Sequence, residues 1–310
     1  MKIIFFGTPQ FAVETLQALN NTADIEIKGI VTQPDKIVGR KKTLTPPPVK
    51  SYGIKNQIPV HQPKNNQELD SILNKYKEEI DFYVVLAFGM IIKKSILQKP
   101  SHHCLNIHTS ILPKYRGASP IQSALLNGDT TTGISIMKMD EKMDTGEIFH
   151  IEKLAIDPLD DAVSLSKKLS TLSANITPTI LRKILNKEIE AIPQDENQAS
   201  YCKKISKEDG LIDWNHDANR IHNQIRAYTG WPESYTTLNG RKIKIIQART
   251  KLSNHDNKTP GSVEIIDGQL EIICGRNSLI PTKVQPEGKN VMDLKSFLNG
   301  YSNQLSILGK

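Results

Sequence analysis

The sequence contains no apolar run that approaches the ~20 residues of a membrane-spanning helix. Residues 1–7 have the pattern of a β-strand, and their apolar run is too short for the core of a signal peptide. We therefore expect a chain without a membrane segment or a leader, located in the cytoplasm.

Cysteine is scarce, and its three copies, Cys104, Cys202 and Cys274, are far apart without CxxC spacing. This distribution argues against a disulfide framework and against a zinc site, and it favours a reduced cytosolic protein. The sequence also lacks a G-x-G-x-x-G loop after its first predicted strand, where Gly7 stands alone. We therefore expect neither a metal ion nor a dinucleotide cofactor.

Short apolar runs alternate with segments of helical periodicity in the first half of the chain. The predicted strands lie at residues 2–6, 25–31, 58–60, 82–86 and 104–108. This order predicts an α/β fold with a Rossmann-like, doubly wound sheet, and it puts residues 104–108 at the switch point where such sheets bind ligands. A helix over residues 162–185, with a break near Pro178, closes the domain.

The second half of the chain has a different texture, in which one helix is followed by short strands. Residues 214–228 predict the helix, with Ala218, Ile221 and Ile225 facing inward. Gly-containing turns then separate several short strands, which is typical of a small β-barrel. We predict a first domain at residues 1–189, a linker at 190–206 and a second domain at 207–310.

Three polar residues form the most informative pattern in the sequence. Asn106 and His108 are two apart on a short apolar strand, so their side chains leave the same face. A second strand, at residues 133–139, leads to Asp144 in a turn closed by Gly146. An amide, an imidazole and a carboxylate could supply an oxyanion donor, a proton carrier and the group that orients it. Taken singly, each could equally be a surface Asn, a core His or a turn Asp.

The residues around this pattern resemble a known family. The order Asn-x-His-x-Ser-x-Leu-Pro-x-x-Arg-Gly-x-x-Pro begins at Asn106, and Asp144 opens an Asp-Thr-Gly sequence. Both are similar to the formyltransferases that use 10-formyltetrahydrofolate as the formyl donor and need no metal. The departures are mild: Thr109 stands where Gly is common, Tyr115 replaces Trp and Glu147 replaces Asp.

The resemblance implies roles for individual residues. It gives Asn106, His108 and Asp144 as catalytic. It also implies that Ser110, Ile111, Leu112 and Pro113 contact the folate. To these candidate folate contacts we add the apolar turn at a strand end formed by Phe88, Gly89 and Met90. No covalent enzyme intermediate is expected, because a neutral amine is already a good nucleophile.

The carboxyl half resembles the second domain of the same family. Asp213-Trp214, Ile225-Arg226-Ala227 and Trp231-Pro232 carry this resemblance, although Thr229-Gly230 stand where the family often has a Pro. It implies an OB-like barrel that binds tRNA. The implied acceptor is the α-amino group of methionine on initiator methionyl-tRNA, for translation initiation, and we expect a monomer.

Two basic segments without an intervening acid are candidates for tRNA binding, in a chain with a formal net charge of +7. One lies in a long predicted loop at residues 34–48, and the other forms a predicted strand at residues 241–251. Their members are Lys36, Arg40, Lys41 and Lys42, and Arg241, Lys242, Lys244, Arg249 and Lys251. The second segment changes the parity of its alternation at Ile245-Ile246, which predicts a β-bulge. Each segment could also be an ordinary solvated surface.

Other functions remain open at this stage. A glycinamide-ribonucleotide or sugar-nucleotide formyltransferase, or a hydrolase that uses water as acceptor, would share Asn106, His108 and Asp144. A nucleic-acid-binding protein with a non-catalytic α/β domain is the alternative from a different class. The intact set of three argues against it, because binding alone would require none of them.

Overall fold

The computed structural model describes residues 1–39, 42–254, 258–266, 268–302, 305 and 307–309. The chain forms two compact units, and neither is one continuous segment. The first unit consists of Met1–Gly117, Thr131–Ala155 and Ser166–Tyr201, and the second of Ala118–Thr130, Ile156–Leu165 and Cys202–Lys310. The domain boundaries at 189 and 207 stay a prediction.

Strands and helices follow one another in a simple order along the chain. The first elements are β1 (Lys2–Gly7), α1 (Phe11–Asn20), β2 (Glu26–Val31), β3 (Lys36–Val38), β4 (Thr43–Thr45), α2 (Pro48–Lys55), β5 (Val60–His61), α3 (Asn66–Leu73), β6 (Phe82–Leu86), α4 (Lys94–Leu97), β7 (His103–His108) and β8 (Arg116–Gly117). The later elements are α5 (Pro120–Leu126), β9 (Thr131–Lys138), β10 (Ile148–Ala155), α6 (Ala162–Leu185), β11 (Tyr201–Cys202), α7 (Ala218–Ala227), β12 (Tyr235–Leu238), β13 (Arg241–Lys251), β14 (Val263–Ile266), β15 (Gln269–Ile273), β16 (Ser278–Pro286), β17 (Met292–Asp293) and α8 (Leu294–Tyr301). Single 3-10 turns lie at Glu196–Gln198 and Glu208–Gly210.

The first unit is built around a seven-stranded sheet of order β10-β9-β7-β6-β1-β2-β5. The five strands from β7 to β5 in this order are parallel, whereas β9 is antiparallel to β7 and to β10. Every residue of β6 is buried, as expected for a parallel strand covered on both faces. The predicted Rossmann-like α/β domain is confirmed.

Two details of this unit differ from the sequence-based expectation. The segment predicted as a long loop contains a hairpin in which β3 pairs with β4, outside the central sheet. Helix α6 has the predicted bounds, but the predicted break is wrong because the helix continues through Pro178. Proline removes one backbone hydrogen bond while keeping a helical φ. The buried stripe that includes Leu169, Ser173 and Leu181 continues on both sides of it.

The second unit contains a curled antiparallel half-barrel of order β12-β13-β16-β15-β14. Helix α7 packs beside it with Ala218, Ile221 and Ile225 buried, as predicted. The pairing of β13 with β16 shifts register between Ile245 and Gln247, which confirms the predicted bulge. The OB-like fold predicted for this half is therefore confirmed. Within the described ranges, no helix is long and apolar enough to cross a membrane.

Candidate active site

Strand β7 presents Asn106 and His108 near its carboxyl end. Its antiparallel neighbour β9 places Met137 opposite Asn106 and Ser135 opposite His108. The connection from β9 to β10 carries Asp144, whose backbone is left-handed with a φ of 55°. Aspartate tolerates this conformation better than most residues, and such outliers cluster at functional sites.

The structure brings the three candidate catalytic residues together around the carboxylate of Asp144. Asn106 donates from Nδ2 to Oδ1 of Asp144 at 3.2 Å. The backbone N–H of Gly117 donates to Oδ2 at 2.8 Å, and Nδ1 of His108 lies 3.7 Å from the same oxygen. The carboxylate of Asp144 therefore contacts three residues that are far from it in the sequence.

The hydrogen bonds of His108 define which ring nitrogen carries the proton. Nε2 lies 2.9 Å from the backbone carbonyl of Tyr115. A carbonyl oxygen can only accept, so Nε2 must be the donor. In the neutral ring Nδ1 then has a lone pair that faces Asp144, and Nδ1 is the atom that can take up a proton.

The loop that follows β7 is held by two serine side chains, Ser135 on β9 and Ser110 in the loop itself. The hydroxyl of Ser135 donates to the carbonyl of Ser110 at 2.7 Å and accepts from the N–H of Leu112 at 3.1 Å. Ser110 in turn donates to the carbonyl of Lys114 at 2.6 Å. These bonds fix the backbone that supplies the carbonyl to His108 and the N–H to Asp144. Ser110 and Leu112 are buried and support the loop from within.

A cavity of about 250 Å³ opens beside Asp144. Its walls are mostly apolar and rich in methionine, whose flexible thioether adapts to flat ligands. The lining residues are Met90, Ile91, Ile92, Met137, Met139, Asp140, Glu141, Lys142, Met143 and Asp144. A second cavity of about 640 Å³ shares Met139–Lys142 with the first and is also bordered by Lys94 and Gln98.

The predicted folate contacts occupy different positions around this cavity. Met90 lines it, and Gly89 has a φ of 82° with no atom within 4 Å of a Cβ added there. The ring of Phe88 points elsewhere, because it packs edge-on against Phe6 in the core. Residues 110–113 line neither cavity. Folate contact by these residues stays a prediction, and the position of Phe88 speaks against a direct role for its ring.

Sequence analysis missed a hydrogen-bond network around a buried arginine next to the site. The side chain of Arg116 is fully buried and forms two hydrogen bonds of 2.8 Å with Glu196. It also donates to Gln194, and both partners lie in the segment predicted as a linker. Arg116 holds the pKa of Glu196 below its usual range. Nothing in the local pattern of residues 190–206 signals these contacts, because they depend on tertiary structure.

No group of three or more His, Cys, Asp or Glu side chains in the described part of the chain is arranged to hold a metal ion. Burial raises the pKa of the Cys104 thiol well above its usual range. This cysteine therefore stays a protonated core residue.

Two members of the first basic segment belong to the described part of the β3–β4 hairpin. Lys36 and Lys42 are exposed there, whereas Arg40 and Lys41 lie outside the described residues. The base of the hairpin is fixed by Asp35, which accepts from Lys50 and from Gln62, each at 2.8 Å. The hydrogen bonds from Lys50 and Gln62 also hold the pKa of Asp35 below its usual range.

The second basic segment, on β13, is not the acid-free surface that the sequence suggests. Lys244 pairs with Glu233, and Lys251 pairs with the buried Glu271 at 2.7 Å. Glu233 lies in the turn before β12, and Glu271 lies on β15, which is separated from β13 by β16, so the local sequence does not reveal either acid. The remaining members also have distinct settings: Lys242 lies 3.3 Å above the ring of Tyr235, Arg249 donates to Gln269, and Arg241 is exposed.

The sequence of the chain is similar to known protein families and to individual proteins along nearly its whole length. The family model described as formyl transferase matches residues 1–181, and the model described as the formyl transferase C-terminal domain matches residues 204–302. A protein of Listeria monocytogenes named methionyl-tRNA formyltransferase is 40% identical over 306 residues, which are 98% of this chain and 97% of that protein. A protein of the same name from Caldicellulosiruptor saccharolyticus is 42% identical, over 97% of each chain.

A solved structure extends the comparison to the fold. An N-formyltransferase from Helicobacter canadensis, in complex with folinic acid and dTDP-3-aminofucose, superimposes with a TM-score of 0.68 at 21% identity. The superposition covers 92% of this chain and 99% of the other. At this identity the likeness shows a shared fold.

Proposed function

The chain belongs to the formyl transferase family, and we propose that it transfers the formyl group of 10-formyltetrahydrofolate to the α-amino group of methionine on initiator methionyl-tRNA. The observation that carries the proposal is the shared contact of Asp144 with Asn106 and His108 beside an apolar cavity. The acceptor is the one in the names of relatives that are about 40% identical over nearly their whole length.

The residues around the small cavity fit a folate. 10-Formyltetrahydrofolate would supply a formyl group attached to its N10 atom. Met90 and Ile91 offer apolar walls to a flat ring, and the open backbone at Gly89 allows close approach. Residues 110–113 would act by shaping the loop beside this ring.

Asn106 would stabilise the negative charge that develops on the formyl oxygen. Among the described residues, its side-chain nitrogen makes one hydrogen bond, to Asp144. An amide nitrogen carries two hydrogens, so the second N–H can donate to the substrate. A donor of this kind is worth roughly 3–4 kcal/mol of barrier.

His108 would take the proton that the attacking amine loses and return it to N10 of tetrahydrofolate as the bond between N10 and the formyl carbon breaks. Its Nε2–H remains bonded to the carbonyl of Tyr115, and the proton is taken up at Nδ1. Asp144 lies 3.7 Å from Nδ1 and stabilises the positive ring that results. No nucleophilic side chain is required, because the amine is the nucleophile.

The basic hairpin and β13 would contact the phosphates of the tRNA. Lys36, Arg40, Lys41 and Lys42 are assigned to the acceptor end, and Arg241, Lys242, Lys244, Arg249 and Lys251 to the body of the tRNA. Such contacts position a nucleic acid without reading its sequence. A monomeric state and a cytoplasmic location are part of the same proposal.

The proposal is tested by following tetrahydrofolate release from 10-formyltetrahydrofolate with four acceptors. These are initiator methionyl-tRNA, the same tRNA without methionine, an amino-sugar nucleotide, and water alone. We expect rapid release only with the charged tRNA, together with formylmethionine on that tRNA. Equal release with water would indicate a hydrolase, and release with the sugar nucleotide alone would change the acceptor.

A further inference from the structure

We propose that Gln194 is a positioning residue for formyl transfer, because its side-chain amide holds the backbone of the turn that carries Asp144. The inference rests on the function proposed above. It assigns a mechanistic task to a segment that sequence analysis treats as a linker.

The amide nitrogen of Gln194 bridges two carbonyls that flank the catalytic turn. Nε2 donates to the carbonyl of Asp144 at 2.9 Å and to the carbonyl of Gly146 at 2.7 Å. Both hydrogens of the amide are therefore used on this turn. Asp144 has a left-handed backbone, a conformation that persists only where the surroundings impose it. Gln194 is one of the groups that impose it.

Arg116 fixes the orientation of the Gln194 amide. Its Nε and Nη2 atoms donate to Oε1 of Gln194 at 3.1 and 2.9 Å. Because arginine can only donate, the oxygen must face Arg116 and the nitrogen must face the turn. Glu196 neutralises the buried guanidinium through two further hydrogen bonds of 2.8 Å.

The backbone on either side of Arg116 connects this network to His108 and Asp144. The preceding carbonyl, of Tyr115, accepts from His108, and the following N–H, of Gly117, donates to Asp144. One short segment therefore holds two catalytic side chains through its backbone and Gln194 through its side chain. Loss of the Gln194 bridge should release the carboxylate of Asp144 without removing any catalytic group.

The test compares Gln194→Glu with wild type in the full-length protein. Glutamate has nearly the same shape but cannot donate to the two carbonyls. We expect kcat to fall by about tenfold to a hundredfold, the usual effect of an ångström-scale misplacement. The KM for charged tRNA should change little. Gln198→Glu makes the same chemical change in the adjacent 3-10 turn, where Gln198 contacts Asp195 instead, and it should keep wild-type kcat.

A double-mutant cycle separates positioning from general destabilisation. If Gln194 acts through Asp144, Gln194→Glu should have almost no further effect on single-turnover rates in an Asp144→Asn background. An equal loss in both backgrounds would overturn the inference, and so would near-normal kcat for Gln194→Glu. Gln194→Met, which also lacks the donors, serves as the second variant if the glutamate protein does not fold. A wild-type protein that fails to formylate charged tRNA would instead refute the proposed function.

Discussion

The turn around Asp144 and the strand β13 both carry charged residues on which the proposed function depends, but they hold these residues in opposite ways. The carboxylate of Asp144 is shared by Asn106, Gly117 and His108. Each cation on β13 has a separate setting, such as Lys244 with Glu233 or Lys251 with Glu271.

This difference predicts how each region responds to substitution. Residues that share one partner act as a unit, so the loss of one member changes the task of the others. Residues with separate partners contribute small and nearly additive amounts. The comparison can therefore be tested by substitutions whose expected effects range from large and cooperative to small and independent.

The largest effect is expected for Asn106→Ala, which removes the proposed oxyanion donor. The kcat should fall by about a hundredfold or more, with little change in the KM for folate. Combining it with Asp144→Ala should cost much less than the product of the single losses. Asn186→Ala, at the exposed end of α6, serves as the control. Near-normal turnover of the Asn106 variant, or strict multiplicativity, would contradict a shared unit.

Neutralising Arg40, Lys41 and Lys42 together should weaken binding of charged tRNA in proportion to the charge removed. The slope of log K against log salt should decrease by about one for each residue that contacts a phosphate. The KM for folate should not change, because the hairpin is assigned to the acceptor. A higher folate KM with unchanged tRNA binding would reverse the assignment. The measurements are steady-state kinetics and a salt titration.

On β13, Lys251→Ala should lower the stability of the protein in addition to removing one proposed phosphate contact. The carboxylate of Glu271 is buried and would lose this ion pair, so we expect the free energy of unfolding to fall by about 1–3 kcal/mol. Arg249→Ala is the matched control, because its partner Gln269 is exposed and uncharged. Denaturant unfolding of both variants provides the measurement. Equal stabilities would show that the two cations have equivalent roles.

The smallest effect is expected for Glu233→Gln, which releases Lys244 from its ion pair. The freed ammonium should then improve tRNA affinity by roughly two- to fivefold, the size expected for a partly exposed ion pair. Glu188→Gln makes the same change in net charge in the first unit and should have less effect. Unchanged affinity for Glu233→Gln would indicate that Lys244 does not contact the tRNA.

Features that depend on local periodicity could be predicted from the sequence. The buried face of α7 and the bulge after Ile245 follow from the spacing of apolar residues. The α/β class follows from the order of strands and helices, and Asn106, His108 and Asp144 were selected by a long and chemically varied motif. In each case the information lies within a few residues or in the order of elements.

Contacts between distant segments required the tertiary structure. Asp144 reaches Asn106 across 38 positions of the sequence, and Gln194 reaches Asp144 across 50. The acids that pair with β13 come from a turn and from β15, two strands away in the sheet, and the ring of Phe88 packs in the core. Sheet register and strand order determine which of these groups meet. Local composition cannot specify contacts between distant residues, because the free energy that favours one set of contacts comes from packing the whole unit.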